Sequence, residues 1–285
     1  MIGIIGGSGL YQIDGLTGAR WESIATPFGS PSDQLLVGEV DGTPVAFLPR
    51  HGRGHRIPPS EIPFRANVAA LKQIGVTDVI SVSAVGSLRA DLAPGTFVIV
   101  DQFIDRTFAR QKTFFGTGLV AHVSMAHPVC GRIGDALEAT ARAINLPVVR
   151  GGTYVVMEGP QFSTQAESEL YRSWNAAVIG MTNMPEAKLA REAEICYATV
   201  AMVTDYDCWH PDHDAVTVAN VIDVMNKNVA AARGLVRAAI TALAGRTAPC
   251  SSQCDRALGF AIMTAPEARD PVMVERLSVI AKRVL

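Results

Sequence analysis

The sequence predicts an α/β protein in which helices cover both faces of a mixed, largely buried β-sheet. Along its 285 residues, short apolar runs rich in β-branched residues alternate with amphipathic patterns of ten or more residues, as in layered α/β folds. Apolar residues make up 48% of the chain and charged residues 18%, which is typical of a globular protein rather than a disordered one.

Strands are predicted where apolar runs are rich in β-branched residues, and the first run, residues 2–5, ends in a glycine loop at 6–9. Residues 35–40 and 44–48 flank Asp41-Gly42, a pair that favours the type I' turn of a β-hairpin and makes the sheet mixed. The remaining strands are predicted at 78–83, 96–100, 148–156, 177–180 and 198–203. Periodicity predicts helices at 64–74, 129–144, 164–174, 185–193 and 216–243.

The composition changes after the long helix, where residues 245–249 combine glycine and proline. We therefore expect a main domain at residues 1–245 and a C-terminal helical appendage at 246–285, packed on the same domain or on a neighbouring subunit. Within the appendage, residues 271–285 place apolar side chains at helical spacing, which predicts a final amphipathic helix.

Charge and hydropathy exclude several classes of partner. The formal net charge of −2 supplies no attractive field for a polyanion, so nucleic acid is not an expected partner. No apolar run approaches the ~20 residues that span a bilayer, and the start of the chain has no basic segment before its first glycines. We therefore expect no membrane association and no signal peptide, and a cytoplasmic location.

The five cysteines are Cys130, Cys196, Cys208, Cys250 and Cys254, an odd number without the double pairs of a zinc motif. This usage fits reduced thiols in a cytosol. Cys250 and Cys254 bracket a short loop. We expect unpaired thiols there, and a disulfide or a partial metal site are the alternative interpretations.

Polar segments follow four predicted strands, at the edge where open α/β sheets bind ligands. They contain Ser8 in the glycine loop, Arg50-His51, Ser83-Ala84, and Met181-Thr182. Hydroxyls, an arginine and converging backbone N–H groups are donors that bind a small oxyanion. Taken singly, each segment is also consistent with an ordinary turn or a solvated loop. The glycine spacing fits neither a Walker loop nor a dinucleotide-binding fingerprint.

Two carboxylates, Asp205 and Asp207, come directly after the apolar run 198–203. Aspartates often form turns at such points, and the functional interpretation is an acid and a hydrogen-bond acceptor facing a heterocycle. Phe162-Ser163 follows a Gly-Pro turn, where the ring is suited either to stack on a base or to fill the core. The segment 210–214, rich in histidine and aspartate, is interpreted as an exposed loop without a metal ion.

Ordered motifs from residue 2 to about residue 243 resemble those of the trimeric purine nucleoside phosphorylases, and most closely the methylthioadenosine phosphorylases. The motifs are IGIIGGSGL, TPFGSPSD, PRHGRGH, VSAVGSLR, DQFIDRT, EGPQFST, MTNMPE and MVTDYDCW. The resemblance implies a nucleoside phosphorylase-like three-layer fold and phosphorolysis of 5'-methylthioadenosine to adenine and 5-methylthioribose 1-phosphate. It also implies inorganic phosphate as co-substrate, no cofactor or metal, and a homotrimer or dimer of trimers whose active sites borrow residues from a neighbour.

Carried over by position, the resemblance assigns roles to individual residues. Phosphate is expected to contact Ser8, Arg50, His51, Ser83, Ala84 and Thr182. The purine is expected at Phe162, Ser163, Thr204, Asp205 and Asp207, the last two being the expected catalytic pair. The ribose and methylthio group are expected at Met181, Val218, Val221, Ile222 and His122 of the neighbouring subunit. Gly180 and Asn183 depart from the mammalian-type members, which have a bulkier polar residue and a threonine there.

The carboxylate pair also bears on the choice of substrate. A carboxylate accepts a hydrogen bond from the 6-amino group of adenine and repels a 6-oxo group, so an adenine nucleoside is expected. A methylthioinosine or general purine nucleoside phosphorylase is the alternative activity, and a non-catalytic nucleoside-binding protein is the alternative class. The interpretation as a nicotinamide-dependent oxidoreductase has only the glycine loop in its favour, and the spacing of those glycines does not match a dinucleotide-binding fingerprint.

Overall fold

The computed structural model describes residues 1–7, 9–10, 12–210 and 218–285, with side chains described for all of these except 218–221, 223 and 227. Within this part of the chain, the strands form one mixed eleven-stranded sheet with helices packed on both faces. The predicted α/β fold is therefore confirmed. None of the helices in the described ranges is both long and apolar enough to cross a bilayer.

The strands, in chain order, are β1 (Ile2–Gly6), β2 (Leu16–Glu22), β3 (Leu35–Val40), β4 (Thr43–Pro49), β5 (Asp78–Ser87), β6 (Phe97–Ile99), β7 (Gln102–Arg106), β8 (Val148–Arg150), β9 (Thr153–Met157), β10 (Ala176–Gly180) and β11 (Cys196–Asp205). Strand β5 is central, because β1 and β11 pair with it in parallel and β10 pairs antiparallel with its last residues. Strand β4 is parallel to β1. The carboxyl ends of β1, β4, β5 and β11 therefore meet at one edge.

Local turn chemistry explains both a correct and a wrong strand prediction. Strands β3 and β4 form the predicted antiparallel hairpin, and Asp41 and Gly42 adopt φ of 48° and 79°. The single strand predicted at 148–156 is wrong, because Gly151 and Gly152, at φ of 90° and 122°, divide it into β8 and β9. These two strands pair with different partners, β8 with β6, and β9 with β7 and β10.

Two strands were not predicted, because both lack an apolar run. Strand β2 is largely exposed and pairs antiparallel with β3 at the edge of the sheet. Strand β7 has a polar sequence and pairs in parallel with β9. Hydrogen bonds to a neighbouring strand, rather than burial, define these elements.

The helices are α1 (Phe64–Gln73), α2 (Gly131–Ala143), α3 (Gln165–Ser173), α4 (Asn183–Glu192), α5 (Val218–Leu243) and α6 (Pro271–Ala281). Helices α1, α4 and α6 contribute to one buried apolar cluster, and α2 and α5 contribute to a second cluster. The predicted start of the long helix at 216 and 217 lies outside the described residues. The final helix ends at Ala281, short of the predicted 285.

The C-terminal segment packs on its own chain. In α6, Leu277, Ile280 and Ala281 are buried in the apolar cluster that also contains α1 residues. Nearer its start, Cys250 and Cys254 are buried with residues of α2 and β11 in the second cluster. The segment therefore contacts both sides of the sheet, and its assignment as a separate appendage stays a prediction.

Candidate active site

A cleft of about 880 Å³ opens at the edge where the carboxyl ends of β1, β4, β5 and β11 meet, with one face of α5 as a wall. Residues singled out from the sequence contribute much of its lining: Arg50, His51, Ser83, Ala84, Phe162, Met181, Thr182, Thr204, Asp205, Asp207 and Ile222. Segments distant along the chain are thus brought to one cavity. Ser8 lies outside the described residues.

Arg50 follows β4 and is already paired with a carboxylate. Its Nε donates to Glu186 Oε2 at 2.8 Å, and its Nη2 donates to Glu186 Oε1 at 3.1 Å and to Ser81 Oγ at 2.7 Å. Its Nη1 donates to the Val82 carbonyl at 3.0 Å. Burial opposes the Arg50 cation, but Glu186 more than offsets this and the pKa is raised. The permanent charge of Arg50 is therefore largely neutralised inside the protein.

His51 contributes no positive charge at neutral pH. Burial lowers the pKa of His51 to about 4, and the nearby Arg50 acts in the same direction. Its Nδ1 lies 2.9 Å from the Ile57 carbonyl, so the neutral ring donates there and keeps Nε2 as an acceptor. The ring stacks on His55, with centroids 4.2 Å apart. His51 is thus suited to accept a hydrogen bond from a protonated oxygen of a ligand, and it does not attract an anion by charge.

Hydroxyl groups on β5 and at the start of α4 lie at the same end of the cleft. Ser83 Oγ donates to Asn183 Oδ1 at 3.2 Å, and Asn183 Nδ2 donates to Ser81, Thr199 and Tyr197. The Thr182 hydroxyl is buried without a hydrogen-bond partner among the described residues. A buried unpartnered donor facing a cavity suits an incoming oxyanion. Asn183 therefore holds Ser83 in place, which gives this departure from the family pattern a physical role.

Gly180 is required by the close approach of Tyr154. A Cβ atom at position 180 would lie 2.1 Å from Tyr154 Oη and 2.9 Å from its Cζ. The Tyr154 hydroxyl lies 3.4 Å from Ser83 Oγ, and the ring is fully buried. The phenol thus fills the space that a side chain at 180 would take. The bulkier residue of the mammalian-type members does not fit this arrangement.

Asp205 is the last residue of β11 and Asp207 follows it by two positions, and both line the same cleft. Asp205 accepts a hydrogen bond from Thr204 Oγ1 at 2.7 Å and from the Asp207 backbone N–H at 2.8 Å. Burial nevertheless raises the pKa of Asp205 above its ordinary value. Burial also raises the pKa of Asp207, and the neighbouring Asp205 adds to the effect. Burial thus acts against the ionised form of both carboxyls, which is the direction that a general acid requires.

The aromatic ring of Phe162 lines the same cleft as these carboxyls. Phe162 lines the cleft and is 44% exposed, so its ring is not part of the core. Ser163 has its hydroxyl 3.7 Å from Met157 Sδ, and its carbonyl accepts from Cys208 Sγ at 3.3 Å. Ser163 follows Phe162 in the chain but does not itself line the cleft. An exposed ring in the same cleft as two carboxyls is suited to a heterocycle that carries hydrogen-bond donors.

An apolar wall forms a further part of the cleft lining. Ile222, Met225 and Val229 come from α5, and Met181 and Leu10 complete the wall. These residues would favour an apolar group over a hydroxyl at this point. The side chains of Val218 and Val221 lie outside the described residues.

His122 does not line the cleft of its own chain. It lies with Lys112, Lys188 and Glu192 around a separate cavity of about 420 Å³, and its backbone N–H donates to the Ala261 carbonyl at 2.8 Å. The expectation that His122 reaches the site of a neighbouring subunit stays a prediction.

Three residues of this region were not found from the sequence. Glu186 and Tyr154 lie inside helix α4 and strand β9, where an acidic residue and a tyrosine carry no local signal. Arg56 lines the cleft five residues after the predicted basic pair, and its side chain is 65% exposed. The basic run 50–56 was itself a signal for Arg56.

A metal centre in the cleft has no support from the described residues. Within them, the compact group of metal-binding side chains consists of Cys130, Cys196, Cys250 and Cys254. The expectation of unpaired thiols at Cys250 and Cys254 overlooked this convergence, because two of the four cysteines lie far away in sequence. The predicted loop 210–214 lies mostly outside the described residues.

The sequence model of the phosphorylase superfamily matches residues 1–241. The S-methyl-5'-thioadenosine phosphorylase of Cereibacter sphaeroides is 60% identical, over 100% of this chain and 98% of the relative. The enzyme of the same name from Rhodospirillum rubrum is 61% identical, over 100% of this chain and 97% of the relative.

Solved structures agree with these sequence relatives. A methylthioadenosine phosphorylase from an antarctic soil metagenomic library superposes with a TM-score of 0.91 at 50% identity, covering 98% of each chain. The methylthioadenosine phosphorylase of Schistosoma mansoni in complex with adenine superposes with a TM-score of 0.84 at 38% identity, covering 90% of this chain and 96% of that one.

Proposed function

Because the chain belongs to the phosphorylase superfamily, we propose that it cleaves 5'-methylthioadenosine with inorganic phosphate, giving adenine and 5-methylthioribose 1-phosphate. The observation that carries this proposal is one cleft that brings two chemically different sets of groups together. The hydroxyls of Ser83 and Thr182 and the carboxyls of Asp205 and Asp207 all line it, and the register of β5 and β11 places Asp205 opposite Gly86, three residues beyond Ser83. Phosphorolysis needs both, because positive charge develops on the ribose while negative charge develops on the departing base.

The phosphate end relies mainly on neutral donors. Arg50 is already paired with Glu186, so it offers the anion hydrogen bonding with little net charge. The hydroxyls of Ser83 and Thr182 supply further donors, and Arg56, which lines the cleft and lies 3.9 Å from Asp33, is a second guanidinium within the site. His51 Nε2 accepts from a protonated phosphate oxygen. Phosphate bound here lies beneath the anomeric carbon, which it attacks as the glycosidic bond breaks.

The purine end stabilises the leaving group. Asp205 donates its proton to N7 as the bond between the anomeric carbon and N9 breaks, so adenine leaves as a neutral base. Asp207 accepts a hydrogen bond from the 6-amino group, and Phe162 stacks on the ring. The raised pKa of Asp205 supports its role as the acid. A 6-oxopurine has an acceptor where adenine has a donor, which disfavours methylthioinosine and inosine.

No cofactor takes part in this reaction, and phosphate is the co-substrate. The chemistry is a displacement at carbon that moves one proton and changes no oxidation state. The hydroxyl, arginine and carboxyl groups of the cleft match its requirements. Activity after exhaustive treatment with a chelator, at a low temperature where circular dichroism shows the protein still folded, tests whether a metal takes part, and a complete loss in the folded protein would contradict this.

The active assembly is a homotrimer in which His122 of each subunit contacts the ribose bound by its neighbour. Sedimentation velocity distinguishes a trimer from a dimer of trimers and from a monomer. Two weak variants, His122→Ala and Asp205→Asn, are then mixed under conditions that exchange subunits. If His122 acts across the interface, mixed assemblies contain some sites with both native residues and activity returns. No recovery after proven exchange would contradict this arrangement.

The decisive assay measures free adenine released from methylthioadenosine with and without phosphate, alongside adenosine, inosine and methylthioinosine. Asp205→Asn is expected to lower kcat/KM for methylthioadenosine by about 10²–10⁴. Asp91→Asn is the matched control, since its side chain is 62% exposed and pairs with Arg89 at the surface. Faster cleavage of the 6-oxopurines would favour the alternative activity. Binding without cleavage of any nucleoside would favour a non-catalytic protein.

A further inference from the structure

A second constellation of reactive side chains lies outside the cleft. The sulfur atoms of Cys130, Cys196, Cys250 and Cys254 all lie within 4.8 Å of one another, and the Cys130 and Cys250 sulfurs are 3.5 Å apart. All four residues are buried, with between 0% and 4% of their surface exposed. They come from three separate segments. Cys130 directly precedes α2, Cys196 is the first residue of β11, and Cys250 and Cys254 lie in the loop that follows α5.

The spacing of these sulfurs is close to that of a tetrahedral thiolate site. A zinc ion bound to four sulfurs at ~2.3 Å places the sulfurs about 3.8 Å apart. The observed separations thus need to change by about 1 Å or less to reach this geometry, a shift within the range of χ1 adjustments. Sulfur-only tetrahedral sites select zinc, with iron as the other metal of this class.

We propose that Cys130, Cys196, Cys250 and Cys254 bind one zinc ion in a closed structural site. Binding displaces the thiol protons to solvent, forms four Zn–S bonds and transfers no electrons. All four positions are filled by protein, so no position is left for a water or substrate. The site therefore stabilises the fold and takes no part in the cleavage reaction.

The loop that supplies two of the ligands is built to direct both sulfurs inward. Gln253 adopts φ of 53°, and its N–H donates to the Cys250 carbonyl at 2.8 Å, so the chain turns back between the two cysteines. Asp255 accepts from the Cys250 N–H at 2.8 Å and from Arg246 Nη1 at 3.0 Å. Hydrogen bonds of this kind orient the ligand residues of metal sites.

Positive charge lies close to the sulfurs. A zinc ion with four thiolates carries two net negative charges, which need compensation in a buried location. Arg246 pairs with Asp255 at 3.0 Å and with Asp78 at 3.5 Å, so its charge is already shared with two carboxylates. Arg191 of α4 lies near Cys254. These two cations therefore supply only part of the compensation that a zinc ion with four thiolates needs.

The position of the cluster defines what zinc would stabilise. Cys196 begins β11 and Asp205 ends it, so the cluster and the catalytic carboxyls are separated by the length of a ten-residue strand, about 30 Å. Zinc would hold the segment 250–254 against the beginnings of α2 and β11. Loss of the ion is therefore expected to loosen the C-terminal segment while the cleft keeps its residues in place.

The first test measures metal bound to the full-length protein, purified with a phosphine reductant and no chelator. Elemental analysis is expected to find close to one zinc per chain. Cys254→Ser and Cys130→Ser are expected to lose nearly all of it, whereas Cys208→Ser, the matched control outside the cluster, keeps it. Zinc that remains in the two cluster variants, or a metal-free native protein that does not take up zinc when it is supplied, would overturn the proposal.

The second test uses the native protein, so its outcome does not depend on whether the cysteine variants fold. Protein reconstituted with Co²⁺ is expected to show the intense visible bands and near-ultraviolet thiolate charge transfer of a tetrahedral four-sulfur site. Removing the metal is expected to lower Tm by roughly 5–10 °C and to leave kcat/KM at low temperature unchanged. Octahedral cobalt spectra would overturn the proposal. So would an intact mass lighter by pairs of hydrogens, which reports disulfides in place of thiolates.

Discussion

The guanidinium of Arg50 donates to both carboxylate oxygens of Glu186, at 2.8 Å from Nε and 3.1 Å from Nη2, and both side chains are buried. Glu186 also accepts from Ser81 Oγ at 2.7 Å and from the Tyr197 hydroxyl at 2.8 Å. This carboxylate therefore orders the floor of the cleft beneath the proposed phosphate. Its removal affects stability first, because it leaves an arginine cation buried without a partner.

Glu186→Gln is expected to lower the free energy of unfolding by about 3–5 kcal/mol, measured by urea denaturation at fixed protein concentration. The control is Asp41→Asn, which breaks the pair between Arg237 and Asp41, whose side chains are 42% and 38% exposed. Exposed pairs contribute only about 0–1 kcal/mol. Equal losses in the two variants would contradict the structural role of Glu186.

Gly180→Ala is expected to lower kcat/KM for phosphate and to destabilise the protein by about 1–3 kcal/mol, because the added Cβ would lie 2.1 Å from Tyr154 Oη. Moving the phenol disturbs its contact with Ser83. The double variant Gly180→Ala with Tyr154→Phe removes the closest atom, so it is expected to recover part of the lost stability. Thermal unfolding of the single and double variants measures this coupling, and purely additive losses would show that the two residues do not compete for space.

The pH dependence of kcat/KM reports the proposed acid. Burial raises the pKa of Asp205 above its ordinary value, so the protonated form persists to higher pH than in an exposed aspartate. Activity is expected to be greatest below this raised pKa and to fall as pH rises through it. Asp207 is close and its pKa is also raised. The fall in kcat/KM at high pH, the basic limb of the profile, therefore reports the ionisation of the two carboxyls together.

Phosphate titrates as well, so the informative comparison is between native protein and Asp205→Asn in the same buffers. Phosphate ionisation is identical in both, whereas the limb due to the carboxyl pair should shift or vanish in the variant. An unchanged profile at reduced activity would rule out proton donation by Asp205.

The apolar wall is expected to set the preference for a 5'-methylthio group. Ile222→Thr adds a hydroxyl that pairs with the 5'-hydroxyl of adenosine, so the ratio of kcat/KM for methylthioadenosine over adenosine should fall by about 5- to 100-fold. The control, Val272→Thr, also puts a threonine in place of a β-branched aliphatic residue, on α6, where Val272 is 72% exposed and outside the cleft lining. The same ratio in native protein and Ile222→Thr would refute a role for this wall in selectivity.

Features governed by nearest neighbours along the chain could be predicted from the sequence. Asp41-Gly42 specifies its turn through its own backbone preferences, and the buried strands β1, β5 and β11 are marked by continuous apolar runs. The carboxylates Asp205 and Asp207 were located by the strand they terminate and by family resemblance. Even so, the edge strand β2 was missed, since an exposed strand lacks an apolar pattern.

Tertiary structure alone decided which distant residues meet. Glu186 lies 136 positions from Arg50, and its negative charge turns a predicted phosphate-binding cation into a neutralised pair. Cys130 and Cys196 join Cys250 and Cys254 only because α2, β11 and the C-terminal loop begin or end at one place. Charge compensation and metal coordination depend on distances of a few ångströms in space, whereas the patterns read from the sequence describe only neighbours along the chain.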